Sequence, residues 1–207
     1  MEKKKCILKK WEAALLIGLC VCIIASLCSF TAECEDISTR VLRLHILANS
    51  DSPADQALKL KVRNRLLEVG SGLFDQVNTE SEAEQVAAQR LDELKLAAEQ
   101  VVRSEGYDYS VTVQLCRAWF DTREYSDVTL PAGEYNALRV LIGEGGGKNW
   151  WCVMFPPMCI PAAEPNAELQ DVLTKEQTDI VKNQPKYEFR FKAVELFESF
   201  KQWLSER

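Results

Sequence analysis

The chain has 207 residues, 47% of them hydrophobic, and a net charge of −6. That length suits one domain with a sizeable core, and the acidic balance argues against general nucleic-acid binding, which needs cationic surface. With His45 as the one histidine, catalytic metal sites that use two histidines are excluded.

Lys3, Lys4, Lys5, Lys9 and Lys10 precede an uncharged run from Ala13 to Ala32. A run of about 20 such residues crosses a bilayer as one helix. The lysines should hold the N-terminus in the cytoplasm and place everything after Ala32 outside. A cut after Ala32 would put Phe30 at −3, and a cut after Ala25 would put Ile23 there, both too large for the usual small-residue rule. An uncleaved anchor and a poorly matched signal peptide both fit. The expected division is 1–32, a basic tail with a signal or anchor helix, and 33–207, an exported domain. Five lysines against Glu2 and Glu12 make the first part +3, which leaves −9 for the second.

Leu42, Leu44 and Ile46 alternate with Arg43 and His45, the pattern of a half-buried strand. Asn49, Ser50 and Asp51 break it. Ser52 then reads as a helix N-cap, Pro53 as N1 and Asp55 as the N3 carboxylate. The helix buries Leu58, Val62, Leu66 and Val69, and Gly70 and Gly72 offer stops. Lys59, Lys61, Arg63 and Arg65 flank the stripe. They make either a solvated flank or a docking patch for an acidic partner or an anionic lipid surface.

Ser81 with Glu84 reads as a second capping box, opening a helix that continues to Gly106. Tyr107 to Leu115 alternates as a strand, Phe120 to Leu130 is polar and extended, and Tyr135 to Ile142 reads as a central strand. Gly143 to Asn149 reads as a flexible hairpin connection. It is not a phosphate loop, because Ile142 stands where the first glycine is needed and Asn149 follows Lys148. Trp150 to Phe155 is a further strand, whose adjacent tryptophans must face opposite sides; one of them could be a binding anchor. A short helix is expected near Glu168 to Leu173. Tyr187 to Leu204 is amphipathic, with Ala193, Leu196, Phe197, Phe200 and Leu204 as one stripe and Val194 and Trp203 beside it; a terminal helix packed on the sheet is expected, with a place at a membrane or partner surface as the alternative. The fold class is α+β, a small mixed sheet of about four strands covered by helices.

Cys34, Cys116, Cys152 and Cys159 would lie outside the membrane, where disulfides persist. Cys152–Cys159 is the favoured pair because Pro156 and Pro157 promote a returning turn; small, buried, reduced thiols are the alternative. Zinc on His45 with Cys116, Cys152 and Cys159 lacks a close cysteine pair, so no metal is expected. His45 lacks a nucleophile-elbow serine, and capping explains Asp51 and Asp55, so no catalytic residue is assigned.

Two blocks, LHILANSDSPADQALKLKVRNRLL (44–67) and LPAGEYNALRVLIGEGGGKNWWCVMFPPMC (130–159), together with CRAWF (116–120), Tyr125 and the terminal EFRFKAVELFES, carry a resemblance. The chain resembles the stage II sporulation protein R family of endospore-forming bacteria. The resemblance implies a protein exported from the forespore into the space between forespore and mother cell. There it would trigger a membrane-embedded aspartic peptidase that removes the pro-sequence of sigma-E. It would be a ligand without cofactor or small-molecule substrate, and not an enzyme. Local charge and apolar density, with no family rule behind them, suggest Asn49, Ser50, Asp51, Lys59, Lys61, Arg63, Arg65, Trp150 and Trp151 as the contact surface. The competing readings are an exported envelope hydrolase using Asp51 or Asp55 with His45, and a membrane-surface structural module.

Overall fold

The computed structural model describes residues 2–74, 76–125, 128–156, 172–182 and 184–205, with side chains excepted at 2–9, 184–186, 198, 200–202 and 204–205. The N-terminal helix α1 spans Glu2–Ser38, and from Lys10 onward it is long and apolar enough to cross a membrane. Leu15, Leu16, Ile17, Leu19, Val21 and Ile24 are all exposed along it. The last turns differ: Phe30, Cys34 and Ile37 are buried in the core. The division expected at residue 32 falls inside this helix.

After α1 the chain enters β1 (Leu42–Leu47), then α2 (Pro53–Leu73), α3 (Glu80–Gln89) and α4 (Leu91–Ser104). Strand β2 (Val111–Phe120), the short pair β3 (Arg123–Tyr125) and β4 (Val128–Leu130), β5 (Gly133–Ile142) and β6 (Asn149–Phe155) follow. Helices α5 (Lys175–Lys182) and α6 (Gln184–Ser205) close the described chain. The main sheet has the order β2-β5-β1-β6, with β3 and β4 forming a separate two-stranded sheet. β1 is parallel to β5, and both outer strands run antiparallel to their neighbours. The fold is therefore α+β with a small mixed sheet.

Both faces of the sheet carry a core. Leu42, Leu44 and Ile46 of β1, with Leu138, Val140 and Ile142 of β5, meet α2, α3 and α4 on one side. Tyr135, Ala137, Phe120 and Val153 meet the end of α1, β4, α5 and α6 on the other. The even/odd alternation of β1 and β5 thus sorts side chains between two cores. The half-buried strand expected from the sequence is corrected: Arg43 and His45 are buried as well.

Ser52 caps α2 as expected, accepting the Asp55 amide at 3.1 Å. Gly70 and Gly72 do not end the helix, which runs to Leu73. Gly70 instead lets Met154 of β6 approach, since a Cβ there would crowd the Met154 side-chain end. The second capping box is formed by Thr79 with Glu82, not by Ser81 with Glu84. Glu84 is held instead by Asn136, whose amide also donates to Glu80. The helix expected to run on to Gly106 breaks at Arg90 into α3 and α4.

The Gly143–Asn149 connection is not a hairpin, because β1 lies between β5 and β6. It crosses the C-terminal end of β1. The stripe on α6 is also corrected. Phe191 and Val194 are buried, whereas Leu196 and Phe197 are exposed. The helix expected near Glu168 to Leu173 lies largely outside the described residues.

Candidate functional site

Arg43 sits on β1, opposite Ala137 on one side and Val153 on the other. It is fully buried. Its guanidinium lies 4.2 Å from the Phe120 ring centroid, 4.7 Å from Tyr135 and 5.6 Å from Tyr125. Nε donates to the Cys152 carbonyl at 3.2 Å and Nη2 to the Tyr125 hydroxyl at 2.7 Å, while Nη1 has no hydrogen-bond partner among the described residues. Among the described residues no carboxylate pairs with it. Aromatic faces stand in for the counter-charge. Burial raises the Tyr125 and Tyr135 hydroxyl pKa values, with the Arg43 charge opposing in both cases, so both remain neutral beside the cation.

Two residues along β1, His45 stacks on Trp151 with ring centroids 3.8 Å apart, and its Nε2 pairs with Asn149 Oδ1 at 2.9 Å. Burial lowers its pKa, the Asn149 bond opposes that shift, and Arg139 reinforces it. The register joins Gln114, Arg139, His45 and Trp151 into one row across all four strands on one face. Thr112, Gln114 and Asn149 are exposed there, and Arg139, Leu47 and Leu141 are half-buried. This end of the face is the more solvent-exposed one.

The loop after β1 closes the same end of the sheet. Asn49 Oδ1 accepts the Glu144 amide at 3.0 Å, and Asp51 Oδ1 accepts the Lys148 amide at 2.6 Å. The amides of Gly146 and Gly147 donate to the carbonyls of Asn49 and Ala48. The absence of a Cβ matters along this loop. Gly143 has φ +59° and abuts the Asn49 side chain, and a Cβ at Gly147 would run into the Ser50 carbonyl. Asp55 gathers this loop from below, accepting Ser50 Oγ at 2.6 Å and Asn49 Nδ2 at 3.0 Å. Those bonds, Ser50 first, hold its carboxyl below the ordinary carboxylate value.

The four cations of α2 separate. Lys59 is buried, with Nζ donating to Gln56 Oε1 at 2.6 Å and to the Lys148 carbonyl at 2.8 Å. Burial lowers its pKa, opposed by Asp51. It is a strut under the glycine loop and not part of an exposed patch. Lys61 is exposed and pairs with Glu105, and Arg65 pairs with Glu68 at 2.8 Å. Arg63 lies 4.3 Å over the Trp150 ring. Trp150 and Trp151 do face opposite sides, Trp150 against the α2 core and Trp151 against the other. Of the expected contact residues, the structure brings together Asn49, Ser50, Asp51, Lys59, Arg63, Trp150 and Trp151 around the ends of β1 and β6. Lys61 and Arg65 are instead engaged by Glu105 and Glu68. The sequence reading missed Arg139, Gln114 and Asn149, whose only mark in the sequence is a polar position in an apolar strand or beside one.

The arrangement does not support acid–base chemistry by His45 with Asp51 or Asp55. The Asp55 carboxyl is held in its ionised form, and both histidine and aspartates are bonded to other groups. Cys152 belongs to the core against α2–α4, while His45 points to the opposite face, so the two cannot share a metal. Cys152 is disulfide-bonded; Cys159, its expected partner, lies outside the described residues.

The profile of the family described as stage II sporulation protein R matches residues 38–164, from the end of α1 through the whole main sheet. The chain belongs to the stage II sporulation protein R family. A relative in Bacillus subtilis (strain 168), named stage II sporulation protein R, is 38% identical over 123 residues. The match covers 59% of this chain and 55% of that relative, so it spans little more than half of the Bacillus family member. No solved structure matches. The family match includes the Arg43 cage, the glycine loop and the Asn49–Asp51 turn, and excludes α5 and α6.

Proposed function

We infer that this chain is a signalling ligand of endospore formation. It is exported from the forespore, held at the membrane by α1, and activates a membrane-embedded aspartic peptidase that processes pro-sigma-E. The family match carries this reading, because it covers the folded domain that would face the partner. Two features of the chain support it. An apolar helix precedes the domain and contributes Phe30, Cys34 and Ile37 to its core. Loss of residues 1–32 would remove Phe30, which stacks on Tyr187 with centroids 5.7 Å apart and meets Phe191 edge-on at 5.5 Å. A retained anchor is the better fit to that packing.

An activator shifts its target only through differential affinity for the active state. The surface available for this is the open end of the sheet with the glycine loop, bordered by Arg63 on Trp150. The full chain, exported in a host without sporulation genes together with the peptidase and pro-sigma-E, should cause cleavage of the precursor. Absence of cleavage with all three proteins present and correctly located overturns the reading. Arg63→Glu with Arg65→Glu should abolish processing while secretion and folding persist; unchanged processing removes this border from the contact surface.

A further inference from the structure

Helix α6 has two apolar sides. Tyr187, Phe191 and Val194, spaced four and three, turn toward the core, where Phe191 and Val194 are fully covered. Phe189, Leu196 and Trp203, spaced seven and seven, lie on the other side with Phe197 beside them. Phe189 is 86% exposed, Leu196 75%, Phe197 54% and Trp203 49%. Four large apolar side chains along one helix side make a patch of a kind that soluble surfaces rarely leave open.

The position of the patch indicates what covers it. α6 is docked by Tyr187 and Phe191 onto Phe30. Phe30 stands at the end of the exposed apolar belt of α1, and the first charge after that belt is Glu33. A pocket of about 390 Å³ between α1, α5 and α6 records the same polarity step. Its walls pass from Ser26, Ser29 and Phe30 to Glu33, Glu176 and Arg190. The exposed side of α6 therefore begins at the level where α1 leaves the hydrocarbon. Glu195, Glu198 and Lys201 interrupt α6, so it is too charged to cross a bilayer, while aromatic residues on one side and charges between them suit the interface.

We propose that α6 lies in the surface of the bilayer that α1 enters, with Phe189, Leu196, Phe197 and Trp203 in the headgroup–acyl boundary. This rests on the reading that α1 is retained in the membrane. The two helices are then two points of attachment. They fix the tilt of the sheet and point the glycine-loop end away from the lipid, since α1 joins β1 at the opposite end.

The test uses full-length protein reconstituted in phosphatidylethanolamine–phosphatidylglycerol vesicles, with p-benzoylphenylalanine in place of Phe189, of Phe197 or, as a control on exposed α3, of Gln85. Irradiation followed by mass spectrometry should show phospholipid adducts on the peptides carrying 189 and 197 and none on that carrying 85. Leu196→Glu should remove the adduct at 197, with thermal unfolding in detergent unchanged. Alkaline carbonate extraction of the same vesicles reports on α1 separately. Retention in carbonate with no adducts at 189 or 197 overturns the docking and leaves the anchor intact. Crosslinks to a second copy of the chain in place of lipid also overturn it. Release by carbonate overturns the anchor and the docking together.

Discussion

Replacing Arg43 separates charge from volume in the core. The guanidinium is fully buried, makes two hydrogen bonds and stacks within 4.2–5.6 Å of three aromatic rings. Hydrogen bonds from a charged donor contribute about 1.5–3 kcal/mol each, and a desolvated cation over aromatic rings about 2 kcal/mol. Opposing them is the desolvation of an ion without a carboxylate partner, which costs several kcal/mol. The two sides nearly cancel, so shape decides. Arg43→Met keeps the volume and removes the buried charge, and should destabilise by about 0–2 kcal/mol. Both variants leave the Cys152 carbonyl without its Arg43 donor; Arg43→Ala leaves a cavity between the rings in addition, and should cost about 3–5 kcal/mol. The gap of about 3 kcal/mol corresponds to about 1.5 M in the urea midpoint for a slope near 2 kcal/mol/M. The assay is urea unfolding of the full chain in detergent, followed by tryptophan fluorescence, with Trp151 inside the same aromatic cluster. If Met lowers the midpoint as far as Ala does, the charge itself is required and its interactions outweigh its desolvation.

Gly147→Ala drives a methyl into the Ser50 carbonyl and should destabilise by about 1–3 kcal/mol, whereas Gly72→Ala, with open space around it, should be neutral or stabilising in its helix; equal effects in the same unfolding assay would refute the wedge. His45 has a folded pKa below its ordinary 6.5, chiefly through burial, with Arg139 as the facing cation. The unfolded chain therefore takes up the proton first. The histidine's share of stability is full above about pH 6.5 and is lost as pH falls through the folded pKa. Unfolding midpoints measured from pH 7.5 to 5 should decline, and His45→Gln, which keeps a polar group near Asn149, should flatten the decline; an unchanged slope would show that other groups titrate.

What the sequence discloses is local. The Ser52–Pro53–Asp55 cap is legible because its partners lie within one turn, and the opposite facing of Trp150 and Trp151 follows from strand geometry alone. The apolar alternation of β1 was legible too, but the burial of Arg43 was not. Its cage comes from Phe120, Tyr125 and Tyr135, on strands that only the fold brings beside it. The glycine run looked like a hairpin because neighbouring strands usually pair; here β1 occupies the place between them. Thr79–Glu82 and Ser81–Glu84 are both sound capping boxes by residue type, and Asn136, far along the chain, occupies Glu84. On α6 two apolar sides competed, and docking against Phe30 selected Phe191 and Val194 over Leu196 and Phe197. At the candidate site, the Asn49–Asp51 turn and the tryptophans were visible in the sequence. The row through Gln114, Arg139 and His45 depends on register, which no single segment encodes.

The parallel pairing of β1 with β5 has a consequence for biogenesis. On the proposed export route, a chain threaded through a translocon from its N-terminus would deliver β1 early, yet Arg43 meets the Cys152 carbonyl 109 positions later and Asn49 meets the Glu144 amide 95 positions later. Until those segments emerge, β1 has neither neighbour, and its apolar residues wait beside the membrane with both edges open. Closing so long a loop is slow, and unpaired edges recruit other strands. On that proposed route, efficient delivery of this protein should depend on an extracytoplasmic holding factor more than its modest size would suggest.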